Sequence, residues 1–139
     1  AVTTSNVPHL TLIVGGSYGA GNYGMCGRAF DPRFLFSWPN SRIAVMGGEQ
    51  AAGVLRLLAE EQARSRGQVA DVAALEERQQ QVLAQFEHES SAFYATARLW
   101  DDGILDPRHT RQALMCALEA VHLSDFRQLE APRYGVFRM

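Results

Sequence analysis

Apolar residues come first as short unbroken runs and later as stripes at helical spacing. Val7–Val14 contains "LTLIV" and predicts a strand covered on both faces, with Pro8 tolerated near its start. Phe34–Trp38 ("FLFSW") and Arg42–Met46 ("RIAVM") predict two more strands, closed by Pro39-Asn40 and Gly47-Gly48. Between the first two strands lie a glycine cluster, a short helix predicted over Ala20–Gly27, and an Asp31-Pro32 turn. From Glu49 the period changes. Ala52, Leu55, Leu58 and Ala59 predict a helix over Glu49–Arg66, with Gly67 just past its end. Asp71 is placed to cap a helix running to about Phe86. A further helix is predicted over Glu87–Leu99, then a loop over Trp100–Pro107. A last helix, capped by Asp106 with Pro107 at its first position, runs to about Leu123. The last fifteen residues carry no regular pattern. Strands early and helices late predict an α/β fold with a helix-rich second half. Three strands are too few for a complete doubly wound sheet, so the pattern fits the closing portion of a larger domain.

Composition narrows the chemistry. The 139 residues suit one modest domain, and 47% hydrophobic with 20% charged residues is a globular balance. A net charge of −2 supplies no basic field, so neither nucleic acid nor an anionic membrane is expected as a partner. All thirteen basic residues are arginine. The absence of lysine excludes a Schiff-base lysine and a P-loop lysine within this sequence. Cys26 and Cys116 lie far apart and form no C-x-x-C pattern, as expected of reduced thiols. His9, His88, His109 and His122 have no zinc-ligand spacing with them, so no metal is expected. No apolar run approaches about 18 residues. The start, "AVTTSN", has no initiator Met and runs almost at once into a strand, which predicts a fragment.

The glycine cluster carries the most specific pattern. Gly19, Gly21 and Gly24 spell G-x-G-x-x-G inside "GGSYGAGNYGMCGR". A dinucleotide site requires its first glycine directly after the strand, and an acid at the end of the next strand to hold the ribose. Here the predicted strand ends five residues before Gly19, the next ends in Ser37-Trp38, and Glu49 opens a helix. A dinucleotide site is therefore the least supported of three alternatives. The second is tight packing alone. The third is a turn whose backbone N–H groups, foremost those of Ala20 and Gly21, face an oxygen that becomes anionic.

The stretch Gly15–Leu55, "GGSYGAGNYGMCGRAFDPRFLFSWPNSRIAVMGGEQAAGVL", closely resembles the carboxyltransferase β subunits of methylcrotonyl-CoA carboxylases, and geranyl-CoA carboxylase β subunits share much of it. "ARLWDDGILDPRHTR" (Ala97–Arg111) and the terminal "YGVFRM" (Tyr134–Met139) are similar to the same family's closing motifs. The resemblance implies a crotonase-like spiral of ββα units. It places residues 1–139 in the C-terminal part of the carboxyltransferase C domain, with the N domain and the start of the C domain absent. It implies transfer of a carboxyl group from carboxybiotin to 3-methylcrotonyl-CoA in leucine degradation. Biotin would be carried by a partner α subunit that also holds biotin carboxylase. The β subunits would form a homo-oligomer, the family hexamer, that binds acyl-CoA between domains of different subunits. The fragment alone would be inactive; a purely non-catalytic assembly segment is the alternative of another class. The location implied is the cytoplasm of a bacterium, or the mitochondrial matrix of a eukaryote. Carried over residue by residue, the resemblance assigns the biotin oxyanion hole to the Ala20 and Gly21 amides. It makes Gly19 a turn residue, and Tyr18, Asn22 and Tyr23 walls of the cofactor pocket.

Other residues are weighed against blander roles. Arg28 and Arg33 suit ion pairs or assembly contacts better than phosphate binding. Cys26 is expected to be a packed thiol rather than a nucleophile. The carboxylates in "DDG", Asp101–Gly103, are expected to cap a loop rather than bind metal. Glu49 is expected to open a helix and His109 to face solvent. Phe93, Tyr94, Leu99 and Trp100 are expected in the core or at a subunit interface.

Overall fold

The computed structural model describes residues 2–5, 7–67 and 71–123. A 3-10 turn over Val2–Thr4 precedes strands β1 (Leu10–Ile13) and β2 (Gly16–Tyr18) and the short helix α1 (Gly19–Gly24). A second 3-10 turn, Arg28–Phe30, leads to β3 (Phe34–Ser37) and β4 (Arg42–Ala44). Two long helices follow, α2 (Gly48–Ser65) and α3 (Val72–Glu89), then the short α4 (Ala92–Ala97). The described chain closes with β5 (Gly103–Ile104), a 3-10 turn over Pro107–His109 and α5 (Thr110–Leu123).

The strands form two parallel sheets. One has the order β1-β3-β5 and the other pairs β2 with β4. Leu10 to Ile13 pair with Phe34 to Ser37, and Gly16 to Tyr18 pair with Arg42 to Ala44. The chain thus repeats a unit. β1, β2 and α1 make one ββα turn, β3, β4 and α2 make the next, and like strands stack in parallel. This is the spiral expected of the α/β fold, built from more strands than the apolar runs predicted. β2 was missed because "GSY" holds no apolar alternation, and β5 because it spans two residues. The predicted first strand shortens to its apolar centre, beginning at Leu10 rather than Val7.

The core is made of small residues. Ile13, Cys26, Leu35, Ala51, Ala52, Ala92, Ala95 and Ala117 are buried, with the polar Ser37, Ser41 and Ser90. The backbone and side chain of Asp102 close the sheet end on Leu35. Leu35 N–H donates to Asp102 Oδ2 at 2.7 Å, and Asp102 N–H donates to the Leu35 carbonyl at 2.7 Å. Trp38 Nε1 donates to Thr110 Oγ1 at 2.9 Å, which ties β3's end to α5.

Helix starts follow their predicted caps. Asp71 Oδ1 accepts from Ala73 and Ala74 N–H at 3.1 and 3.3 Å. Asp106 caps the turn that opens into α5, with Pro107 at its start. The helix predicted over Glu87–Leu99 is corrected. α3 runs on to Glu89, the chain breaks at Ser90-Ser91, and α4 restarts with Ser91 Oγ accepting from Tyr94 N–H at 3.3 Å. The break is pinned from β4, whose Ile43 N–H donates to the Ser90 carbonyl at 2.8 Å. The irregular last fifteen residues and "YGVFRM" lie outside the described residues.

Candidate functional site

The glycine cluster folds as a strand, one left-handed residue and a helix. β2 ends at Tyr18, Gly19 takes φ +52°, and α1 begins. An L side chain is strained at that φ, and a Cβ on Gly19 would lie 3.2 Å from the Val45 carbonyl oxygen. Gly19 is therefore required by the turn, as expected. The spacing argument against a dinucleotide site is corrected: a strand does abut Gly19, and it was missed because its residues are Gly16, Ser17 and Tyr18. The missing ribose acid still stands, since β4 ends at Ala44 and the partner strand of β1 ends at Ser37.

Ala20 and Gly21 sit in the first turn of α1 and are exposed. First-turn amides have no carbonyl one turn earlier to bond, so they are free to serve an external acceptor. Gly21 adds a second fact: a Cβ there would meet nothing within 4 Å. Nothing in the packing of the described residues demands a glycine at that position. Gly24 is likewise open.

The expected pocket walls separate. Gly19, Asn22 and Tyr23 line a concave pocket of about 340 Å³, with Arg28, Phe86 and Trp100 among its other walls. Tyr18 instead faces a second hollow of about 400 Å³ with Met46, Gly48 and Leu83. Its ring lies against Gly16, where a Cβ would come within 2.7 Å of Tyr18 Cε2. Ala20 and Gly21 line neither hollow. Asn22 is engaged within the turn, its Oδ1 accepting from Ser17 Oγ at 3.2 Å. Tyr23 packs edge-on to Phe30, with ring centroids 6.0 Å apart. Phe86, Glu89 and Ser90 reach the first pocket from the end of α3, a placement without local sequence signal. Ser17 and Gly27, which close the turn, were also passed over. The only hint was a further glycine in "MCGR".

The remaining candidates take structural roles. Arg28 lies over the Trp100 ring at 4.8 Å, and Arg33 over Phe34 at 5.4 Å. Cys26 is buried at φ +56°, and burial, then the Asp31 charge, pushes its thiol pKa up. That is the packed thiol expected, opposite to a nucleophile's environment. Asp102 secures β3, while Asp101 Oδ1 accepts from Thr96 Oγ1 at 2.7 Å. Among the described residues, no group of three or more His, Cys, Asp or Glu side chains is placed to hold a metal. His109 is exposed and Glu49 stands in the first turn of α2. Phe93 and Leu99 are 66% and 88% exposed, so they are not core of this chain. Tyr94 and Trp100 do pack, edge-on at 5.9 Å.

Known proteins supply the family. The carboxyl transferase domain matches residues 1–135. The probable mitochondrial methylcrotonoyl-CoA carboxylase beta chain of Drosophila melanogaster is 52% identical over 139 residues, which is all of this chain and 24% of that one. The biotin-dependent 3-methylcrotonyl-coenzyme A carboxylase beta1 subunit of Mycobacterium tuberculosis is 50% identical over the same length and 26% of its own. Among solved structures, the geranyl-CoA carboxylase beta subunit of P. aeruginosa superposes with a TM-score of 0.81 at 49% identity, over 97% of this chain and 25% of that one. The transcarboxylase 12S subunit does so with a TM-score of 0.71 at 27% identity, over 99% and 24%. The chain spans about a quarter of the length of these relatives. With stacked ββα turns, a glycine turn at the end of β2 and this match over nearly its whole length, the chain belongs to the carboxyl transferase domain family and has its crotonase-like α/β fold.

Proposed function

We propose that the chain is the C-terminal carboxyltransferase segment of a biotin-dependent acyl-CoA carboxylase, acting on 3-methylcrotonyl-CoA. The observation that carries it is the Gly19 turn, which presents the Ala20 and Gly21 amides beside an open space at Gly21. These residues fit a biotin ring: two exposed amides for one carbonyl oxygen, and no side chain in the way. Biotin bound there would supply the carboxyl group. The Ala20 and Gly21 N–H groups would donate to its ureido oxygen and stabilise negative charge on it without reorganising. Gly19 sets the angle of the turn. Asn22 and Tyr23 bound the neighbouring pocket of about 340 Å³, while Tyr18 shapes the other side of β2.

Biotin would reach this site on a separate biotin-carrying α subunit, and none of these 139 residues is a lysine that could bear it. The complete β subunit, a homo-oligomer, supplies the acyl-CoA site, and the 139-residue segment alone is inert. The solved transcarboxylase 12S, a relative, is described as a hexamer with methylmalonyl-coenzyme A bound. Among the described residues no helix is long and apolar enough to cross a membrane. The location is the cytoplasm in a bacterium or the mitochondrial matrix in a eukaryote. Methylcrotonyl specificity is favoured by relatives of that name at 46–52% identity in three organisms. A geranyl substrate is the second reading, favoured by the P. aeruginosa superposition.

The complete carboxylase, given ATP, bicarbonate and each thioester in turn, tests both. Carboxylation of 3-methylcrotonyl-CoA well above geranyl-CoA is expected. The reverse preference selects the second reading, and no carboxylation of either overturns the proposal.

A further inference from the structure

Asn22 lines the pocket beside Gly19 and Tyr23, and its bonds point inward. Its Oδ1 accepts from Ser17 Oγ at 3.2 Å, across the turn that holds Gly19, Ala20 and Gly21. Its carbonyl accepts from Gly27 N–H at 2.7 Å, beyond the end of α1. A Cβ on Gly27 would overlap Asn22 Oδ1 and lie 2.5 Å from the Asn22 carbonyl oxygen. The chain between α1 and Gly27 is fixed as well: Met25 N–H donates to the Gly21 carbonyl at 3.1 Å, and Cys26 N–H to that of Tyr23 at 3.1 Å. Thr11 Oγ1 then donates to the Cys26 carbonyl at 2.8 Å, anchoring the return to β1. Residue 22 therefore joins the strand before the turn to the loop after it.

We infer that Asn22, held by the Ser17 hydroxyl and seated against Gly27, is a positioning residue that aims the Ala20 and Gly21 amides. This rests on the function proposed above. Six helical residues that begin and end in glycine hold no orientation by themselves, because an isolated helix of this length is unstable. The Ser17–Asn22–Gly27 clasp supplies the restraint. It acts through backbone direction: a misplacement of about 1 Å costs up to about a hundredfold in rate. Ser17 is half-buried and lines neither hollow, so removing its hydroxyl releases the clasp without entering the pocket.

The test is a double-mutant cycle in the complete carboxylase, with Gly21→Val measured beside it. Ser17→Ala is expected to lower kcat for carboxyl transfer about tenfold, within the range for a small misplacement. KM for the acyl-CoA and the unfolding temperature should stay essentially unchanged. Asn22→Ala should lose at least as much, and the Ser17→Ala/Asn22→Ala double variant no more than Asn22→Ala alone, because the two side chains act as one unit. A wild-type kcat in Ser17→Ala, or losses that simply multiply in the double variant, overturns the clasp. If Gly21→Val is impaired in that case, the amide site itself survives. A silent Gly21→Val overturns both. Should Asn22→Ala fail to fold, Ser17→Ala, which deletes one hydroxyl, decides alone.

Discussion

The α1 turn and the α2–α3 hairpin are built in opposite ways. In the turn, Ser17, Asn22, Gly27, Cys26 and Thr11 are cross-linked by hydrogen bonds of 2.7 to 3.2 Å, and two glycines are required by close approach or positive φ. In the hairpin, α2 buries only Ala51 and Ala52 near its start, and α3 has no buried residue. Val54, Leu57 and Leu58 are 52%, 66% and 50% exposed. At its base Gly48 of α2 backs onto Phe86 of α3, and Arg42 of β4 pairs with Glu87 of α3. The turn is rigid without being long; the hairpin is regular without being deeply packed. Among the described residues, the cross-links gather at the turn that carries the proposed amide site, as electrostatic preorganisation there would require.

That contrast can be broken at graded cost. Gly27→Ala has the largest effect: overpacking against Asn22 should cost about 3 kcal/mol and remove activity with it. Denaturant unfolding and turnover of the complete enzyme read both, and wild-type stability would show that the contact relaxes freely. Gly21→Val should separate the two quantities. A Cβ at Gly21 meets none of the described residues, so the unfolding temperature should stay, while carboxyl transfer falls at least about a hundredfold. Asp71→Ala should do the reverse, costing about 1 kcal/mol of stability through the lost α3 cap and leaving kcat unchanged. A drop in kcat would show that the hairpin reaches the chemistry.

The smallest effect concerns Cys26. Its folded pKa is raised above the unfolded value by burial, so its contribution to stability is full below the unfolded pKa and fades as pH rises through the folded one. Iodoacetamide should label the exposed Cys116 at neutral pH and spare Cys26 until the protein unfolds. Mass spectrometry of the labelled peptides checks this, and equal labelling would contradict it.

The two regions also differed in how they could be read. β3, β4, α2 and α3 were legible, because apolar runs, a 3.6-residue period and the Asp71 cap are local signals. The Ser90-Ser91 break was not, since it is imposed by β4 across a long sequence separation. β2 was invisible because its pairing with β4, not its residue types, makes it a strand. At the glycine turn, the left-handed Gly19 was legible in the sequence. The split between Tyr18 and its neighbours was not, nor was the inward engagement of Asn22. Hydrophobic pattern reports burial, whereas a turn that aims backbone amides is specified by polar side chains and missing Cβ atoms.

The most direct measurement is a structure of the complete enzyme with biotin bound. The account predicts the ureido oxygen within about 3.5 Å of both the Ala20 and the Gly21 amide nitrogens. An oxygen farther than that from both, with biotin seated elsewhere, would contradict it.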